Sequence, residues 1–129
     1  MSVTFDAATR RFCPEFDADL LTACPEAEHL AVNVSSSNAL VLCAALGIDL
    51  EAEGWCGSLP AQDFLGRILV ALAVSPADEG IPSHELPREP GRVRWIECGR
   101  APGYTQDRLG QLRELADWAI AHNAEISFG

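Results

Sequence analysis

Lysine is absent from this chain, and all nine of its basic side chains are arginines. Against them stand 19 Asp and Glu, for a formal charge of −10 and a pI near 4.5. So acidic a body is badly suited to neutralising phosphate, which disfavours DNA, RNA and anionic membranes as partners. A basic protein surface is favoured instead; solubility alone is the plainer explanation of the charge. Metal-ligand spacing is missing too. The five cysteines (Cys13, Cys24, Cys43, Cys56, Cys98) and three histidines form no C-x-x-C or H-x-x-x-H pair, so no metal is expected. No Gly-rich phosphate loop, G-x-S-x-G or H-E-x-x-H is present, and neither a cofactor nor a catalytic residue is implied. The opening MSVTFDAATRRF has no apolar run of the secretory kind, and no stretch is long and apolar enough to span a membrane. The expectation is a cytoplasmic protein with reduced thiols.

What the chain does have is apolar content. At 129 residues and 48% hydrophobic it is expected to fold as a single domain over 1–129 around one core. The missing lysine and abundant alanine look like a GC-rich bacterial or phage genome. Charge is uneven along the chain. Residues 1–57 carry nine acids against Arg10 and Arg11, so −7 of the −10 lies there.

Hydrophobic periodicity suggests alternating elements. Pro14 to Ala23 reads as a short helix, with Pro in its first turn and Phe16, Leu20 and Ala23 on one face. Residues His29 to Val34 read as a strand, and a further strand near Val3–Phe5 can join it. Ser35, Ser36, Ser37 and Asn38 offer caps for a helix over Ala39 to Leu46. That helix is apolar all round and so expected to be buried, with Gly47 and Ile48 forming a Schellman stop. Ser58 and Pro60 open a helix to about Ala73, with Ala61, Phe64, Leu65, Ile68 and Leu72 as its stripe. A Pro-rich loop occupies 75–91. A strand at 92–98, a helix at 104–122 and a strand at 125–128 read as a βαβ unit. The fold class expected is therefore α/β, a small sandwich with three to four helices on a short, at least partly parallel sheet.

Two kinds of site are conceivable on that fold. Ligands bind beyond the carboxyl ends of parallel strands, which would bring Ser36, Asn38, Cys98, Arg100 and Tyr104 to one edge. A cysteine nucleophile there would need His84 as its base; an ordinary helix cap and turn explain the same residues without chemistry. The other kind is a docking surface. Glu15, Asp17, Asp19, Glu26 and Glu28, or Asp49, Glu51 and Glu53, would meet a basic partner. Trp55 and Trp118 would serve as anchors, Trp118 lying off the Leu109/Leu112/Ala116 stripe at about 100° per residue. That surface requires the carboxylates to be gathered on one exposed side.

The run V-N-V-S-S-S-N-A with its buried helix ending L-G-I, and later G-Y-T-Q-D-R-L-G-Q-L-R-E-L-A, resembles small acidic bacterial proteins of unknown function. Some of these look like immunity partners of secreted toxins. The likeness covers 30–48 and 98–129 and transfers no site residue. With the charge it implies a non-enzymatic, acidic binding protein that neutralises a basic protein partner (a toxin or effector) by occlusion. Alternatives are a phage-encoded inhibitor that mimics nucleic acid, and a small enzyme using Cys98, Arg100 and Tyr104. The oligomeric state is left open.

Overall fold

The computed structural model describes residues 1–74, 84–85, 96–97 and 103–129. Its spine is β1 (Ser2–Cys13), twelve residues long and paired on both sides. β2 (Ala18–Ala23) folds back on the distal half of β1, and a 3₁₀ turn (Pro25–Leu30) leads to β3 (Val32–Ser35), which pairs with the basal half. α1 (Ser36–Ala45), β4 (Gly57–Pro60) and α2 (Ala61–Val74) follow. β5 (His84–Glu85) pairs with β6 (Ile96–Glu97) as a separate ribbon. α3 (Tyr104–Ala121) and β7 (Glu125–Phe128) complete the chain.

The main sheet runs β2-β1-β7-β4, with β3 also on β1, and every pairing is antiparallel. The partly parallel sheet expected from the sequence is therefore wrong, and so is the βαβ unit. The right-handed crossover rule holds only when both strands lie in one sheet. Here β6 pairs with β5, while β7 fills the gap between β1 and β4.

Alternation along β1 explains the layers. Val3, Phe5 and Ala7 point inward with Val32, Val34, Ile126 and Phe128, and all three α-helices add their apolar stripes to this one cluster. Phe5 sits at its centre, 6.0 Å from the Phe64 ring and 6.1 Å from that of Phe128. Each such ring contributes roughly 1.5–3 kcal/mol by burial. The outer face is polar: the Asn33 amide donates to Ser2 Oγ at 3.1 Å and to Thr4 Oγ1 at 2.7 Å. Arg10 pairs with Glu125 at 3.0 Å beside them.

Helix ends follow local chemistry closely. Ser35 Oγ accepts from the Asn38 N–H at α1, and Gly47 (φ +71) stops the helix. Gly47 N–H donates to Ala44 O at 3.1 Å and Ile48 N–H to Cys43 O at 2.8 Å, the paired bonds of a Schellman stop. Asn123 (φ +54) ends α3 the same way, with Ala124 N–H donating to Ala119 O at 2.8 Å.

Three local expectations fail. The segment Pro14–Ala23 is a four-residue turn followed by β2, not a helix. Its adjacent Leu20 and Leu21 fit either period, and the unpaired distal half of β1 decides between them by offering hydrogen bonds. Asp17 (φ +47) closes the turn, a conformation that Asp tolerates. Ser58 and Pro60 lie in β4, so α2 starts at Ala61. α1 is not buried all round: Leu40 and Val41 remain exposed on its outer side.

Candidate functional site

The distal part of β1 and all of β2 extend past the helical layer as a two-stranded arm. Among the described residues no helix covers β2: five of its residues are exposed and Leu21 is half-buried. Phe12 (61% exposed), Phe16 (69%) and Leu20 (40%) display apolar surface there. Phe12 lies on the face it shares with Asp19, Leu20 on the opposite face beside Arg11, and Phe16 in the turn that joins the strands.

Bond parity shows which backbone groups the arm leaves open. Thr4 exchanges both backbone bonds with Gly129 of the β7 side, whereas Ala7 accepts from Cys24 on the β2 side. Even residues of β1 therefore face β7 and odd ones face β2 and β3. In the β1–β2 register Thr9↔Thr22, Arg11↔Leu20 and Cys13↔Ala18 are the hydrogen-bonded pairs. Asp19, Leu21 and Ala23 consequently turn their N–H and C=O groups away from β1. Among the described residues no hydrogen bond satisfies them.

All eight acids singled out from the sequence are exposed. Among the described residues, the ion pairs are Arg10–Glu125 and Arg67–Asp63, and neither uses any of the eight. They do not share one side, however. Glu15, Asp17 and Asp19 lie on the arm, and Glu26 and Glu28 on the 3₁₀ turn that continues its outer edge. Asp49, Glu51 and Glu53 lie beside β4, at the opposite edge of the sheet, where Glu53 borders a small cleft with Ser58, Leu59 and Phe128. The single gathered face expected from the sequence is replaced by two acidic edges.

Glu28 acts on one neighbour that sequence reading passed over. Burial, and secondarily the Glu28 charge, push the Asp6 carboxyl above its ordinary value. Asp6 lies on the polar outer face, bonded in register to Ser127.

The second edge is built differently. Asp49 Oδ1 accepts from Ala52 N–H at 3.2 Å, and Trp55 N–H donates to Leu50 O at 2.8 Å, so the turn winds tightly. Gly54 (φ +70) and Trp55 (φ +66) are both left-handed, which is strained for a bulky residue. Trp55 packs against the core. A concavity of about 400 Å³ lined by Leu40, Ala44, Ile48, Asp49 and Glu51 adjoins the turn. Trp118, off the core stripe of its helix and open on sequence grounds to either exposure or partial burial, is half-buried and stacks on His122 at 3.9 Å between ring centroids. The His122 Nδ1–H donates to Trp118 O at 2.8 Å and holds that stack.

The alternative site fares otherwise. Cys98 and Arg100 lie outside the described residues, as do the side chain of His84 and most of the 75–91 loop. Ser36 and Asn38 are half-buried at the start of α1, and Tyr104 packs under Arg108 at 5.2 Å. The premise that gathered them, neighbouring parallel strands, is overturned by the antiparallel sheet. Among the described residues no group of three or more His, Cys, Asp or Glu could hold a metal ion. No helix among them is long and apolar enough to cross a membrane.

The described residues form two layers, three α-helices on one face of an antiparallel sheet, with an exposed hairpin at its edge. No family model, curated protein or solved structure matches the chain.

Proposed function

We propose that this is an acidic cytoplasmic binding protein that neutralises a basic protein partner by covering its working surface. An immunity protein for a bacterial toxin is the concrete form. One observation carries the reading: eight exposed carboxylates take part in no ion pair among the described residues. Unpaired surface charge of one sign speeds the approach of an oppositely charged partner at modest cost to stability.

Of the two acidic edges, the arm is the better dock. On one face of the arm Asp19 lies across from exposed Phe12, and Glu15, Phe16 and Asp17 form its exposed tip, so steering charge and apolar surface are neighbours there. At the other edge Trp55 is largely committed to the core.

The test is affinity capture from the source cell with the intact chain, followed by kinetics on the recovered partner. Capture should yield a protein with a basic surface. Its association rate should fall at least about tenfold between low and high ionic strength. The E15Q/D17N/D19N triple variant should lose most of that rate, and D49N/E51Q/E53Q little of it. A tight complex indifferent to salt and to both sets of substitutions would end the proposal.

A further inference from the structure

We infer that the free edge of β2 accepts an extended, lysine- or arginine-flanked segment of a protein partner as an additional antiparallel strand. The choice of occupant rests on the basic-partner reading above; the mode of binding does not.

The backbone argues first. Asp19, Leu21 and Ala23 direct three N–H donors and three C=O acceptors outward, spaced two residues apart as a strand requires. Native edge strands are usually blunted by proline, lysine, a bulge or a covering loop. Within Ala18–Ala23 there is no proline or lysine, the register with β1 is unbroken, and the side chains are exposed or half-exposed. Among the described residues nothing pairs with this edge, and its donors and acceptors are free to take a further strand.

Charge selects the occupant. The edge itself is neutral except for Asp19, while Glu15 and Asp17 stand at one end and Glu26 and Glu28 at the other. A strand laid along it meets carboxylates at both ends and small or apolar side chains between. That pattern matches a segment with cations at its ends and β-formers in its middle. The opposite edge of the arm, where Arg10 and Phe12 point outward, carries Arg10 and Arg11 and lacks this pattern. A second copy of the chain fits poorly. In the two-fold register centred on Leu21, the Glu15–Asp17 tip of one copy would lie against Glu26 and Glu28 of the other.

The experiment uses the full chain and the synthetic peptide Lys-Lys-Val-Thr-Val-Thr-Lys-Lys, with amide hydrogen exchange read residue by residue. On addition of peptide the Asp19, Leu21 and Ala23 amides should slow, while Leu20 and Thr22, already bonded to β1, should not change. That alternation is what strand addition produces and loose charge attraction does not. L21P removes one outward donor and leaves both neighbouring bonds to β1 intact, a substitution that edge strands tolerate. It should weaken binding about tenfold. Retained slow exchange at Thr22 would show that the arm is still folded.

Peptide binding without the alternating protection, or unaffected by L21P with Thr22 still protected, would overturn strand addition and leave the basic-partner reading standing. Equal binding of the Glu-flanked counterpart would overturn the choice of occupant. So would protection that appears without peptide as protein concentration rises, since the edge would then belong to a second copy. Absence of protection at peptide saturation of the solution would overturn the inference outright.

Discussion

The two halves of β1 belong to one strand and live under different physics. From Val3 to Ala8 every inward side chain is buried, and the backbone is paired by β3 and then the start of β2 on one edge and, from Thr4 on, by β7 and Gly129 on the other. From Thr9 to Cys13 the same strand has β2 alone for a partner, and Phe12 points into solvent. Secondary structure is continuous across the boundary; packing is not. The arm contributes only half-buried side chains such as Thr9, Cys13 and Leu21 beside its backbone pairing, whereas the base is held by full apolar burial as well.

Truncating one phenylalanine in each half should show the contrast most strongly. Phe5→Ala opens a cavity between Phe64 and Phe128 and should cost about 3–5 kcal/mol in denaturant unfolding. Phe12→Ala should change stability by no more than about 0.5 kcal/mol. Comparable losses would mean that the arm packs on the body and is not free.

A smaller contrast compares two left-handed glycines. Gly54→Ala meets no neighbour within 4 Å and should cost about 1–2 kcal/mol for its backbone alone. At Gly47 the new Cβ would stand 3.0 Å from Arg67 Nη1. That nitrogen donates to Leu46 O at 2.9 Å and to Gly47 O at 3.1 Å, so it ties α2 to the end of α1. Gly47→Ala should therefore cost about 1 kcal/mol more than Gly54→Ala, since charge-assisted bonds are disturbed as well. Equal thermal shifts would show that the Arg67 tie contributes nothing.

Two titrations give the smallest effects, and both lie in the packed half. The folded Asp6 carboxyl holds its proton to higher pH than its ordinary value of 3.8, so between the two values the folded state binds more protons than the unfolded. Stability from this group is present at low pH and falls as pH rises through that window. Asp6→Asn should remove this slope and leave stability near pH 7 unchanged or slightly higher, as measured by melting across pH. Cys43, fully buried, is pushed up to about 11 from 9.0 by desolvation, so stability should likewise fall as pH climbs from 9 towards 11. A thiol reagent should label exposed Cys56 quickly and Cys43 only on unfolding. Rapid native labelling of Cys43 would contradict the packing of α1 on the sheet.

Local signals were legible where local chemistry decides the outcome. The Ser35 cap, the Gly47 stop, the Phe64–Ile68 stripe of α2 and the Leu109–Ala119 stripe of α3 all follow from neighbours a few residues away. The carboxylates named from sequence are exposed, as charged side chains on turns and an edge hairpin are. Strand partners were not legible. Whether Leu20 and Leu21 belong to a helix or a strand depends on β1 having an empty edge, which no window around Pro14–Ala23 contains.

The amino-acid order by itself determined an acidic chain with one apolar core and the stops of α1 and α3, because charge, capping and periodicity act over a few residues. Tertiary structure alone decided that the sheet is antiparallel, that the acids divide between two edges, and that β2 has no further strand beside it among the described residues. Those outcomes depend on pairings between segments far apart in sequence, such as Thr4 with Gly129, whose hydrogen bonds have no local counterpart.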